Sequence, residues 1–108
     1  MNKIREIEPE EVRRLQEAGK SFVFLDVREP WEVSLVHLEG ALSIPLGNLY
    51  AAREQLNPED EIVVFCHRGI RSQLACQHLS AQGFKSVYNL SGGIDAWAAR
   101  LDPTLARY

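Results

Sequence analysis

The stretch VVFCHRGIRSQLA, residues 63–75, joins an apolar run to a helix-like run through a short loop. An apolar run without polar alternation is typical of a strand that is buried on both faces of a sheet. The loop that follows holds a cysteine, a glycine and two arginines, which are Cys66, Gly69, Arg68 and Arg71. The stretch therefore predicts a buried strand that carries Cys66 to the start of a helix.

The rest of the chain repeats this alternation of strand and helix. A short edge strand is expected at residues 4–7, and more apolar segments predict strands at residues 22–27, 41–45, 61–66 and 86–90. Helical spacing of apolar side chains predicts helices at residues 9–20, 30–36, 46–56 and 72–83. This order predicts an α/β fold, with a parallel sheet covered by helices on both faces, in a single domain over residues 1–108. Because ligands of such sheets bind at the carboxyl ends of the strands, Cys66 lies where a site is expected.

Composition limits the class of protein. The chain has 108 residues and a net charge of −3, whereas a nucleic-acid-binding protein needs a basic face. It contains no apolar run of the roughly 18 residues that span a bilayer, and its first residues lack the apolar segment of a secretion signal. We therefore expect a cytoplasmic protein that binds neither nucleic acid nor membrane, with Cys66 and Cys76 reduced.

The chemistry expected at Cys66 is that of a thiolate. A loop that enters a helix N-terminus can turn its backbone N–H groups inward, and the helix dipole adds partial positive charge there. Together with Arg68 and Arg71, these groups favour an ionised thiol and hence a nucleophile at neutral pH. Gly69 suits a tight loop, and Ser72 lies where an N-cap residue is expected. Such a site needs no general base, and we expect no cofactor.

The other cysteine and the histidines favour plainer interpretations. Cys76 shares a helical stripe with Ser72, Ala75 and Leu79, which predicts a core residue in preference to a resolving thiol. The three histidines and two cysteines do not have the spacing of a zinc site, so we expect no metal.

Four segments carry a resemblance to a known family. They are FLDVREPWE (24–32), HLEGALSIP (37–45), CHRGIRS (66–72) and GFKSVYNLSGGIDAW (83–97). In these segments and their order, the chain resembles the single-domain rhodaneses, which are sulfurtransferases. The resemblance implies a rhodanese-like three-layer domain, built on a five-stranded parallel sheet with helices on both faces.

The resemblance also implies a reaction. Cys66 matches the family's catalytic cysteine, which takes a sulfane sulfur from a donor, holds it as a persulfide and passes it to an acceptor. A small anionic donor such as thiosulfate would load it, and cyanide or a thiol, including a thioredoxin-like or sulfur-carrier protein, would unload it. Asp26 and Arg28 match a supporting pair beside the site, and Ser72 is a further supporting residue. The loop residues whose amides would cradle the terminal sulfur are His67, Arg68, Gly69, Ile70 and Arg71.

Two alternatives remain at this point. Related cysteine-dependent phosphatases and arsenate reductases place five residues between the cysteine and the arginine, because a phosphate needs a wider ring of amides than one sulfur atom does. Here only four residues, 67–70, separate Cys66 from Arg71. The second alternative is a catalytically silent recognition module, in which the cysteine is often lost.

Three secondary expectations concern side chains around the loop. Arg71 is expected to contribute more than Arg68 to the recognition of an anionic donor. The pair Gly92 and Gly93 predicts a tight strand-to-helix turn beside the loop, which could also let substrate approach. The tryptophans at positions 31 and 97 are expected to be packing residues, and either could form a rim of the substrate opening.

Overall fold

Five parallel strands form one sheet within residues 4–108, the part of the chain that the computed structural model describes. The order of the strands across the sheet is β1-β5-β4-β2-β3, so the cysteine-bearing strand is central. The parallel sheet predicted from the sequence is confirmed. The strands are β1 (Arg5–Ile7), β2 (Val23–Asp26), β3 (Leu42–Ser43), β4 (Glu61–Phe65) and β5 (Ser86–Leu90).

Helices cover both faces of the sheet. They are α1 (Pro9–Glu17), α2 (Pro30–Leu35), α3 (Ile70–Ala81) and α4 (Gly93–Arg100), together with a 3₁₀ helix at Leu46–Glu54. Within residues 4–108, no helix is both long and apolar enough to cross a bilayer.

The apolar run at residues 62–65 of β4 follows from its place between two cores. Ile62 and Val64 pack in one cluster with residues of α3 and the 3₁₀ helix. Val63 and Phe65 pack in the other cluster with residues of α1 and α4. All four side chains are fully buried, because successive residues of a strand point to opposite faces.

The helix predicted at residues 46–56 is a 3₁₀ helix and not an α-helix. Its buried residues, Leu49 and Ala52, are three apart, as is the partly buried Leu46 from Leu49. This spacing matches the three residues per turn of a 3₁₀ helix.

Helix α3 begins two residues earlier than predicted. The prediction that Ser72 is its N-cap residue is wrong, because Gly69 takes that position with a φ of 107°. A positive φ favours glycine, which has no Cβ to clash with the backbone. Ser72 instead lies within the first turn of α3, with a fully buried side chain.

Candidate active site

Cys66 directly follows β4 at the carboxyl edge of the sheet, and it is only 1% exposed. The loop after it turns back and enters α3, so the positive end of the α3 dipole lies beside the sulfur. A shallow cavity of about 200 Å³ opens here. It is lined by Cys66, His67, Arg68, Ile70 and Arg71, which are all among the predicted loop residues.

Three hydrogen-bonding groups surround the sulfur of Cys66. The amide nitrogens of Gly69 and Ser72 lie 3.1 and 3.4 Å from Sγ, and the hydroxyl oxygen of Ser72 lies 3.4 Å from it. Burial raises the pKa of the Cys66 thiol, but hydrogen bonds from Ser72 and from the loop amides more than offset this effect. The net result is a pKa below that of an ordinary thiol, in the direction expected from the sequence.

The guanidinium of Arg71 is held by a buried carboxylate. Its two terminal nitrogens donate to the two oxygens of Glu32 on α2, at 2.5 and 2.8 Å. Glu32 is 3% exposed, and it also accepts hydrogen bonds from the Tyr108 hydroxyl at 2.7 Å and from the Glu29 backbone at 3.1 Å. These donors, Arg71 foremost, lower the pKa of Glu32 to about 2. The same pairing raises the pKa of Arg71.

The predicted supporting pair, Asp26 and Arg28, lies behind this contact. Both side chains are buried, and Arg28 donates to both Asp26 carboxylate oxygens. Arg28 also donates to the Tyr108 hydroxyl at 3.0 Å, which in turn donates to Glu32. A hydrogen-bonded chain therefore runs from Asp26 to Arg71 and ties the end of β2 to the start of α3.

Sequence reasoning missed three residues of this region: Glu32, Asn89 and Tyr108. Glu32 had one local signal, because it forms a capping box with Glu29 at the start of α2. Asn89 and Tyr108 carry no local pattern that points to the site. The Tyr108 ring stacks on His67, with ring centres 3.9 Å apart and an interplanar angle of 7°.

The two tryptophans have different environments. Trp31 is 62% exposed and meets Tyr108 edge-on, so it lies near the Cys66 loop and is not a core residue. Trp97 is 8% exposed and lines a separate cavity of about 550 Å³, together with Phe24 and His37. Trp97 is therefore the packing residue of the two, and Trp31 is linked to the loop through Tyr108, which stacks on His67.

The glycine pair brings the start of α4 against the loop. The backbone amides of Ile94 and Asp95 donate to the carbonyls of Cys66 and His67, at 2.9 and 3.1 Å. A Cβ added at Gly93 would lie 2.5 Å from the His67 carbonyl oxygen and 2.6 Å from that of Cys66. The missing side chain thus makes room for the loop backbone and not for a substrate.

Cys76 lies in the core, as its helical stripe predicts. It is fully buried and packs in the same cluster as Ala75 and Leu79. Burial raises its pKa to about 12, so the thiol stays neutral and unreactive at neutral pH.

Replacing Glu32 should destabilise the protein in a pH-dependent way. Because its folded pKa is about 2 and its ordinary value is 4.5, its contribution is present above pH 4.5 and is lost as the pH falls through about 2. This difference between the two pKa values of Glu32 corresponds to about 3 kcal/mol in the free energy of unfolding. We expect Glu32→Gln to lower the free energy of unfolding at neutral pH by about 2–3 kcal/mol, and this deficit to narrow in acid.

Urea unfolding of both proteins over a series of pH values measures this effect. Glu59→Gln is the matched control, because Glu59 forms an exposed ion pair with Lys85 and should contribute less than about 1 kcal/mol. If the stability deficit of Glu32→Gln stayed constant from neutral pH to pH 2, the stabilising role of the ionised Glu32 carboxylate would be contradicted.

Comparison with known proteins agrees with this geometry. The family model of the rhodanese-like domain matches residues 8–100. Over 99 residues, the chain is 36% identical to the putative sulfur carrier protein YrkF of Bacillus subtilis (strain 168), covering 92% of this chain and 54% of that protein. It is 38% identical over 80 residues to the thiosulfate sulfurtransferase GlpE of Coxiella burnetii (strain RSA 331 / Henzerling II), covering 74% of this chain and 75% of the relative.

Among solved structures, the rhodanese-like domain protein from Staphylococcus aureus has a TM-score of 0.82. At 24% identity, covering 97% of this chain and 99% of that one, it shows the likeness of fold. The chain spans about half the length of YrkF, and it matches the larger part of GlpE. From the match over residues 8–100 and these relatives, the chain belongs to the rhodanese-like family, a family of sulfurtransferases.

Proposed function

We propose that this chain is a sulfurtransferase that carries sulfane sulfur on Cys66 from an anionic donor such as thiosulfate to a thiol or cyanide. The Cys66 thiolate attacks the outer sulfur of thiosulfate, so that a new S–S bond forms at Cys66. The bond between the outer sulfur and the sulfonate breaks, and its electron pair leaves with sulfite. The acceptor nucleophile then takes the terminal sulfur and returns Cys66 to the thiolate.

The observation that carries this proposal is the set of hydrogen-bonding groups around the Cys66 sulfur. Two amides and one hydroxyl lie within 3.4 Å of Sγ, at the base of a small cavity. The two amides favour a thiolate without a neighbouring base, and further amides of the loop can hold the terminal sulfur of a persulfide. Two relatives, the putative sulfur carrier protein YrkF and the thiosulfate sulfurtransferase GlpE, support the same chemistry.

The alternatives fit the site less well. A phosphatase uses its loop arginine to bind phosphate oxygens, but the Arg71 guanidinium is already paired with the Glu32 carboxylate, which would compete with a phosphate for it. Four residues between Cys66 and Arg71 also leave a narrow ring. A silent interaction module has no need of hydrogen bonds that stabilise a thiolate.

Intact-protein mass spectrometry after incubation with a panel of donors tests the proposal. Thiosulfate, 3-mercaptopyruvate and a glutathione persulfide are suitable donors. We expect a gain of one sulfur atom that dithiothreitol removes, and thiocyanate as the product when cyanide is added. Hydrolysis of an aryl phosphate without any sulfur uptake would instead favour the phosphatase.

The two arginines of the loop should affect turnover for different reasons. Arg68 is exposed at the cavity, whereas the charge of Arg71 is paired with Glu32. We therefore assign recognition of donor charge to Arg68, although the sequence favoured Arg71. Arg68→Ala should lower kcat/KM for thiosulfate about threefold to fivefold, and high salt should reduce this loss.

Arg71→Ala should lower kcat/KM by about tenfold to a hundredfold, because it removes two charge-assisted hydrogen bonds that anchor the loop. This loss should be similar for thiosulfate and for an uncharged persulfide donor, and it should persist at high salt. Steady-state kinetics with both donors at two ionic strengths distinguish the two roles. A salt-sensitive loss confined to thiosulfate in Arg71→Ala would return anion recognition to Arg71.

A further inference from the structure

Asn89 contacts two of the residues that hydrogen-bond the Cys66 sulfur. It lies near the end of β5 and is 3% exposed. Its amide nitrogen donates to the Gly69 carbonyl at 3.0 Å and to a Glu6 carboxylate oxygen at 2.9 Å. Its amide oxygen accepts a short hydrogen bond from the Ser72 hydroxyl. One side chain thus contacts both Gly69 and Ser72.

The orientation of the Asn89 amide follows from its partners. A carbonyl and a carboxylate only accept hydrogen bonds, so the amide nitrogen must face Gly69 and Glu6. The amide oxygen then faces Ser72, and this oxygen has no proton to donate. The single hydroxyl proton of Ser72 must therefore be donated to the Asn89 amide oxygen.

The sulfur of Cys66 competes for that same proton. When Cys66 is neutral, its S–H can donate to the Ser72 oxygen while Ser72 donates to Asn89, and every group is satisfied. When Cys66 is ionised it has no proton, and it can accept from the Ser72 hydroxyl only if Asn89 loses its hydrogen bond. The thiolate then depends mainly on the amides of Gly69 and Ser72.

We propose that Asn89 is a positioning residue, which holds the Ser72 hydroxyl and the Gly69 peptide and thereby limits how strongly Ser72 hydrogen-bonds the Cys66 sulfur. This inference rests on the proposed function, because it assigns the control of the nucleophile in that reaction. A thiolate that is stabilised less is a stronger nucleophile once formed. Asn89 therefore favours reactivity over maximal ionisation.

Other charged and titratable groups around Cys66 act on it as well, and the test must hold them constant. Arg71 and Cys76 are coupled to it electrostatically, and Glu6 is linked to it through Asn89. The loop adds His67 and Arg68. Substitutions at positions 72 and 89 leave all five of these side chains in place.

The experiment compares the wild type with Asn89→Leu, Ser72→Ala and the double variant. Leucine is close to asparagine in size, and it offers the Ser72 proton no acceptor. The readout is the pH dependence of Cys66 alkylation by iodoacetamide, with single labelling verified by mass spectrometry.

In the protein that keeps Ser72, Asn89→Leu should raise the alkylation rate about threefold to tenfold at pH values below the Cys66 pKa. One charge-assisted hydrogen bond is worth about one to two decades in the thiolate fraction, and the lower nucleophilicity of the better-stabilised thiolate cancels about half of that gain. In the Ser72→Ala background the same substitution should change the rate less than twofold. An unchanged or lower rate in Asn89→Leu would overturn the proposal. An equal increase in both backgrounds would also overturn it, since the effect would then not pass through Ser72.

Circular dichroism and thermal unfolding verify that each variant folds. If Asn89→Leu does not fold, Ser72→Ala decides alone. Because Asn89 holds the Ser72 proton, removing the hydroxyl in Ser72→Ala should change the alkylation rate at low pH less than threefold. A tenfold fall in this rate would contradict the proposal. Alkylation does not require sulfur transfer, so a wild type that fails to load sulfur would refute the proposed function while leaving this test valid.

Discussion

Cys66→Ser is expected to abolish persulfide formation and sulfur transfer to cyanide. The serine hydroxyl fits the same space and can accept the same amide hydrogen bonds, but it stays protonated at neutral pH and cannot form an S–S bond. We expect a loss of at least about a thousandfold in thiocyanate production, with little change in the unfolding transition. Thiocyanate assays and intact mass after thiosulfate treatment measure the two steps separately.

Cys76→Ala is the matched control for this experiment. Cys76 is the other thiol of the chain, and it is fully buried with a raised pKa. Its replacement should leave persulfide formation intact and cost on the order of 1 kcal/mol of stability. Sulfur uptake by Cys66→Ser, or loss of sulfur uptake in a folded Cys76→Ala, would show that Cys66 is not the thiol that alone carries the sulfur.

Gly93→Ala is expected to cause the largest loss of stability. Its φ of 62° is unfavourable for alanine, at a cost of about 1–2 kcal/mol. The added Cβ would also lie 2.5 and 2.6 Å from two backbone carbonyl oxygens, which cannot move without displacing the Cys66 loop. This overlap should add about 1–3 kcal/mol. We therefore expect a total loss of about 2–5 kcal/mol, together with reduced sulfur transfer in the protein that still folds.

Gly40→Ala separates the two contributions. Gly40 has a φ of 83°, and no atom beyond its two chain neighbours lies within 4 Å of an added Cβ. Its replacement should cost only the backbone strain of about 1–2 kcal/mol and should leave sulfur transfer unchanged. Urea unfolding and thiocyanate assays of both variants provide the comparison. Equal effects on stability and activity would show that the contact with the Cys66 loop adds nothing to the strain.

The fold could be predicted from sequence because its main signals are local. The apolar run of β4 and the glycines that end helices are visible within a few residues, and the order of elements then restricts the topology. The 3₁₀ type of the helix was not predicted, because the apolar side chains of residues 46–56 fit the period of an α-helix as well as that of a 3₁₀ helix. Ser72 was misplaced as a cap because Gly69, three residues earlier, could adopt the left-handed conformation that starts α3.

The candidate site could be predicted only in part, for the same physical reason. The loop from Cys66 to Arg71 is contiguous, so its chemistry is evident in one short segment. The partners that orient it are remote in sequence: Glu32 lies 39 residues from Arg71, and Tyr108 lies 76 residues from Glu32. Asn89 lies 17 residues from Ser72, on β5, the strand next to β4 in the sheet. Only the folded chain brings these side chains together.

The carboxylate of Glu32 has a consequence for how the protein acquires its site during folding. Its donors are Glu29 at the start of α2, Arg71 at the start of α3, and Tyr108. They meet only after β2 and β4 have paired, the helices that follow these strands have packed, and Tyr108 has docked. Contacts of such long sequence separation form late, because closing large loops costs entropy. Cys66 should therefore become fully reactive in the last phase of refolding, after the helical signal in circular dichroism has recovered.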